Sequence, residues 1–165
     1  MIEHPFEPVW DRDSRILILG SFPSVKSREQ MFYYGHPRNR FWKLMSSIIG
    51  CREPESISQK RKMLLEHGIA LFDVISSCDI RGSSDSSIRN VRVNDLSPIL
   101  AGSQIGSRIF VNGRKASDLY MKYTYPAVGI PCTYLPSTSP ANAAFSLERL
   151  EKEWRQAFSG AGIFF

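Results

Sequence analysis

The sequence predicts a three-layer α/β/α sandwich around a central, mostly parallel sheet of about four strands. Two observations carry this: short continuous apolar runs recur along the chain, each closed by a turn, and between them stand segments whose apolar residues fall at helical spacing. At 165 residues the chain has the usual size of one domain. No internal repeat, low-complexity tract or linker divides it, so one domain over residues 1–165 is expected.

The clearest strand is 15–20, RILILG, a glycine-closed apolar run suited to a strand buried on both faces. Over residues 40–49, Phe41, Leu44, Met45, Ile48 and Ile49 keep helical spacing, with Asn39 as candidate N-cap and Gly50 as the stop. A helix over 58–66 ends at His67-Gly68 and feeds a strand over 69–75, IALFDVI. Residues 76–94 are polar and serine-rich and exceed the usual connection of about 4–6 residues, so a functional loop is expected there. A short helix over 95–100, a strand over 107–111, a helix over 114–123 and a strand over 131–135 follow. The last helix, 146–158, carries Leu147, Leu150, Trp154, Ala157 and Phe158 on one stripe, which reads as core.

Composition narrows the function classes. No apolar run approaches the roughly 20 residues of a membrane span. The opening MIEHPFEPVWDRDSR has no basic flank leading into an apolar stretch, as a secretory or transit signal would, and a cytoplasmic location, nucleoid-associated in a prokaryote, is expected. Cys51, Cys78 and Cys132 are odd in number, without a CxxC pair, and too few for a four-cysteine iron–sulfur cluster. They read as core or half-buried thiols, and neither a metal nor another cofactor is expected. A net charge of +5 favours a polyanionic partner. Lys26, Arg28, Arg38, Arg40 and Lys43 crowd one stretch and Arg81, Arg89 and Arg92 another, although either group by itself is equally well a solvated surface.

In parallel sheets ligands bind beyond the carboxyl ends of the strands. Two such ends carry unusual residues, GSFPS at 20–24 and LPSTSPAN at 135–142. Gly20 allows close approach and Pro23 stiffens the turn, although such a turn also serves as a plain connection. More distinctive is YYGHPRNRFW at 33–42: paired tyrosines, a His-Pro, then Arg-Asn-Arg at a helix start. Its aromatics offer stacking faces, Asn39 offers a carbonyl and an NH2, and Arg38 and Arg40 can reach phosphate. His36 is a proton-carrier candidate whose alternative task is to fix the turn. Asn112, at the end of the third core strand, can read a base edge or cap the helix after Gly113. Asp73 and Arg81 bracket the start of the polar segment, with Arg81 a candidate phosphate clamp.

GSFPS, HPRNRFW, the Gly-x-x-x-Asp-Val of 68–74 and the late LPSTSPAN, in that order, resemble the uracil-DNA glycosylase superfamily along nearly the whole chain. HPRNRFW looks like the HPxNRFW of its mismatch-specific uracil/thymine branch, and the first and last motifs look more like those of the hypoxanthine-DNA glycosylase family. The resemblance implies a monofunctional DNA glycosylase that flips a deaminated base from DNA, hypoxanthine first and uracil or xanthine second, and hydrolyses its N-glycosidic bond. Gly20, Ser21, Phe22 and Pro23 would floor the base pocket, with Tyr34 stacking on the base and Asn112 reading its edge. Phe22 stands where other branches have a water-placing Asp or Asn, which shifts catalysis to Asn39, whose oxygen can align a water. Leu135 stands where efficient uracil enzymes have a histidine. Ser24, Arg38, Arg40, Arg81, Ser137, Thr138, Ser139, Pro140 and Asn142 would contact DNA, residues 136–142 pressing into the minor groove. The expected partner is DNA carrying a deaminated base, bound by a monomer. A nucleic-acid-binding module without catalysis, a mismatch-specific uracil/thymine glycosylase and an esterase-like hydrolase using Ser21 are the alternatives.

Overall fold

The computed structural model describes residues 1–165. The chain runs β1 (Ile2–Glu3), β2 (Ile16–Gly20), α1 (Val25–Gln30), α2 (Phe41–Ile49), α3 (Ile57–Glu66), β3 (Ile69–Asp73), β4 (Ile75–Asp79) and β5 (Arg89–Val93). It continues through α4 (Ser97–Gly102), β6 (Ile109–Asn112), α5 (Arg114–Leu119), a π-helical turn (Tyr120–Thr124), α6 (Tyr125–Val128), β7 (Thr133–Leu135) and α7 (Leu147–Gly160).

The four-stranded sheet has the order β3-β2-β6-β7, with every pairing parallel. All of β2 is buried, as its uninterrupted apolar run requires. Strand alternation divides the core between the two faces. Ile16 and Ile18 pack with Phe41 and Leu44 of α2, Leu64 of α3 and Trp154 of α7. Leu17 and Leu19 pack with Ile99 of α4 and Ala116 and Leu119 of α5. This is the expected three-layer sandwich, and each fully buried aliphatic contributes about 1.5–3 kcal/mol of transfer free energy. In α7 the stripe of Leu150, Trp154 and Phe158 is core, as the periodicity demands. No helix is long and apolar enough to cross a membrane.

Four expectations are corrected. The run 69–75 is not one strand: β3 ends at Asp73, and Ile75 opens β4 in a second, antiparallel sheet of order β1-β4-β5. Asn94 stabilises the break, its Nδ2 donating to the Asp73 carbonyl at 2.8 Å and the Ile75 carbonyl at 3.1 Å. Nor is 76–94 an open loop, since it forms the β4–β5 hairpin with a 3₁₀ turn at Asp85–Ser87. Its polar sequence hides the strands because β5 is largely exposed, so little apolar alternation remains. Third, the helix expected over 114–123 is α5, a π turn and α6 in succession. Finally, Cys51 is exposed rather than half-buried, lying just beyond the left-handed Gly50 that ends α2, whereas Cys78 is buried.

Candidate active site

The carboxyl ends of β2, β3 and β6 open into a cavity of about 350 Å³, the scale of a small-molecule site. Gly20, Ser21, Phe22, Pro23 and Ser24 line one side, Tyr34 and Asn39 another, and Asn112 with Ser137, Thr138, Ser139 and Pro140 a third. Twelve residues expected on sequence grounds therefore converge here, from segments far apart in the chain. Residues 80 and 83–86 of the β4–β5 hairpin complete the wall. The hairpin is tied to the turn after β2: Ser83 Oγ accepts from the Val25 amide at 2.9 Å, and Arg28 donates to the Gly82 carbonyl at 2.6 Å.

Thr138, fully buried, joins the two asparagines. Asn112 Nδ2 donates to Thr138 Oγ1 at 3.0 Å, and Thr138 Oγ1 donates to Asn39 Oδ1 at 2.9 Å. The Thr138 amide closes the circuit on Asn112 Oδ1 at 3.1 Å. Asn39 Oδ1 also accepts from the Phe41 amide at 3.0 Å. A backbone N–H can only donate, so the carboxamide oxygen must face it and the NH2 must point away. The expectation that Asn39 holds a water through its oxygen is thereby overturned: that oxygen already takes two hydrogen bonds, and the NH2 is the uncommitted end. The candidate N-cap shifts too, because Arg40 occupies that position of α2.

Arg40 does not project toward phosphate. Its guanidinium donates to the carbonyls of Ser139 at 2.9 Å, Asn142 at 3.1 Å, Thr138 at 3.4 Å and Phe145. Planar and always charged, it gathers the 138–145 segment around one point. Asn142 braces the same segment, Nδ2 donating to the Ser137 carbonyl at 3.0 Å, and it does not line the cavity. Arg38 and Arg81 are exposed and make no side-chain hydrogen bond, so they remain available to a polyanion. His36 fixes the turn, its Nδ1 accepting from the Arg38 amide at 3.0 Å, while also lining the cavity. Ser24 caps α1 by accepting from the Ser27 amide. Leu135 is wholly buried in the core and offers nothing to a ligand.

One face of the Tyr34 ring is stacked on Phe41 at 4.2 Å and is therefore closed to a base. Its backbone is left-handed, at φ 53°, uncommon for a bulky residue and found where surrounding structure imposes it. Its hydroxyl is buried with no hydrogen bond of normal geometry, and burial first, then the charge of Asp73, outweigh the opposing influence of the nearby Asn112 amide and hold it far above the ordinary phenol range, so it stays protonated.

His4 and Asp73 escaped the sequence reading as a pair. His4 Nε2 lies 2.7 Å from Asp73 Oδ2, each side chain only 5% exposed, with Asp73 lining the cavity and His4 packed behind it. A carboxylate inside the apolar run IALFDVI was a usable signal for Asp73. Nothing local marks His4, which β1 delivers by pairing with β4.

With this geometry in view, the comparisons are specific. Residues 8–159 match the family model described as "Uracil DNA glycosylase superfamily". A protein of Methanosarcina acetivorans named hypoxanthine DNA glycosylase is 37% identical over 96% of this chain and 99% of its own length. One of the same name from Methanosarcina barkeri is 33% identical, with the same coverage. A solution NMR structure of a provisionally named uracil DNA glycosylase from Methanosarcina acetivorans superposes with a TM-score of 0.79 at 36% identity, covering 98% of this chain and 99% of that one.

Proposed function

This chain belongs to the uracil DNA glycosylase superfamily and is a DNA glycosylase, and from that premise we propose that its first substrate is hypoxanthine in DNA, with uracil and xanthine second. The observation that most supports this is a cavity large enough to admit a nucleobase, lined by Asn39, Asn112 and Tyr34, in a chain whose full-length relatives carry the name hypoxanthine DNA glycosylase. The base is flipped into the cavity, at a cost of a few kcal/mol that is smallest for a mispaired nucleotide. The C1′–N9 bond breaks, water adds hydroxide to C1′, and the base leaves carrying a proton.

Asn39 is the catalytic residue of this proposal. Its NH2 donates to the departing purine, where electron density accumulates as the bond lengthens, and Thr138 and the Phe41 amide keep that donor aimed. Ser137, Ser139 and Pro140, gathered by Arg40, face the DNA at the cavity rim, and Arg38 and Arg81 meet phosphates.

Duplexes carrying a single inosine, uracil or xanthine, incubated with the protein and heated in alkali, test this directly. Breaks at inosine are expected to form fastest. Intact strands in all three duplexes would refute the proposal.

A further inference from the structure

The cavity floor sets an acceptor beside a donor, and neither makes a hydrogen bond of normal geometry within the protein, although the Asn112 amide lies close to the phenol. Gly20 brings them together: a Cβ there would stand 2.5 Å from Asp73 Oδ1 and 3.3 Å from Tyr34 Oη. Tyr34 Oη is buried without such a bond, and an orphaned buried polar group costs about 1–3 kcal/mol until something meets it. Asp73 uses only Oδ2, toward His4, leaving Oδ1 open. The His4 ring has little room to turn, its centroid lying 4.7 Å from that of Phe6, 5.5 Å from Phe72 and 5.9 Å from Phe22. Its backbone is fastened by an N–H bond to the Ser76 carbonyl at 2.8 Å.

We propose that Asp73 Oδ1 and Tyr34 Oη read the lactam edge of the flipped base, the carboxylate accepting its ring N–H and the phenol donating to the adjacent carbonyl, with His4 as the positioning residue that holds the carboxylate in place. This rests on the glycosylase activity proposed above. Hypoxanthine, xanthine and uracil all present N–H beside C=O. Adenine instead turns a bare ring nitrogen toward the carboxylate, setting lone pair against lone pair. Sites built to bond a polar group reject analogues lacking it far more strongly than apolar pockets reject a methylene. Guanine shares the lactam edge, and its protection lies in its pair with cytosine, which resists flipping.

The test compares single-turnover excision of deoxyinosine with that of 2′-deoxynebularine, a purine lacking both the N1–H and the carbonyl, and records the half-saturating enzyme concentration for each. The wild type is expected to favour deoxyinosine. Asp73→Asn and Tyr34→Phe, both nearly isosteric, are expected to cut that preference by about tenfold or more, the scale of one lost hydrogen bond to a charged or buried group. His4→Phe keeps the aromatic packing, and it is expected to raise the half-saturating concentration and lower the preference in the same sense. His4→Gln, whose amide can still donate to Oδ2, is expected to recover part of both. Folded Asp73→Asn and Tyr34→Phe proteins that retain the wild-type preference would overturn the lactam edge while leaving the glycosylase in place. A wild type that releases no base from inosine would instead bring down the activity itself, and this assignment with it.

Discussion

The two sheets meet at the same cavity and serve it differently. The parallel sheet presents it with strand ends: Gly20 closes β2 and Asn112 closes β6, and the segment after β7 brings Thr138 between Asn112 and Asn39. The antiparallel sheet of β1, β4 and β5 supplies the hairpin wall and carries His4 to Asp73. Chemistry-bearing residues thus cluster in turns whose composition is unusual, whereas the second sheet contributes by where it places ordinary residues. Even its exposed charges, Arg89 and Arg92 on edge strand β5, suit a strand guarded against pairing with another chain.

Substitutions in the two regions should separate rate from stability. Asn39→Ala is expected to have the largest effect, a single-turnover rate lower by about 100-fold or more with a modest change in melting temperature, as when a preorganised polar donor is removed. Thr138→Val preserves shape and deletes the hydroxyl that links the asparagines, and its rate is expected to fall by about tenfold. Arg40→Lys loses the fork that holds four carbonyls, so the rate should drop by a similar factor of about ten while the salt dependence of DNA binding stays unchanged. A reduced salt slope for that variant would return Arg40 to the phosphates.

In the second region, Asn94→Ala strips the donor from the Asp73 and Ile75 carbonyls and is expected to lower unfolding free energy by about 1–3 kcal/mol in denaturant titrations, ahead of any change in rate. The smallest effects should come from Arg38→Ala and Arg81→Ala. Each is expected to reduce the log–log salt slope of binding by about 0.9, one phosphate contact, with the chemical step untouched. Unchanged slopes in both would remove them from the DNA interface.

The core was readable because its signals are local. The RILILG run, the spacing of Phe41, Leu44, Met45 and Ile48, and the stripe on α7 each report burial through a period that the backbone imposes. The helix after Asn39 and the strand ends at Gly20 and Asn112 were legible for the same reason. Strand β4 was not, because Ile75 continues the apolar run of β3 and only the side chain of Asn94, far along the chain, reveals the break. Arg40 was misread because an arginine beside Asn39 looks the same whether it faces phosphate or carbonyls.

Residue types alone place an asparagine, stacking aromatics and a Pro/Ser turn in one family of sites, since those groups carry the relevant chemistry wherever they lie. Which end of the Asn39 amide is free depended on folding, because Thr138 stands 99 positions away and the Phe41 amide takes its direction only once α2 forms. The His4–Asp73 contact spans 69 positions and exists because β1 pairs with β4. Periodicity records the faces of elements, but hydrogen-bond direction between distant side chains is set by packing, and there the fold commits the Asn39 carbonyl to Thr138 and the Phe41 amide and leaves its NH2 free.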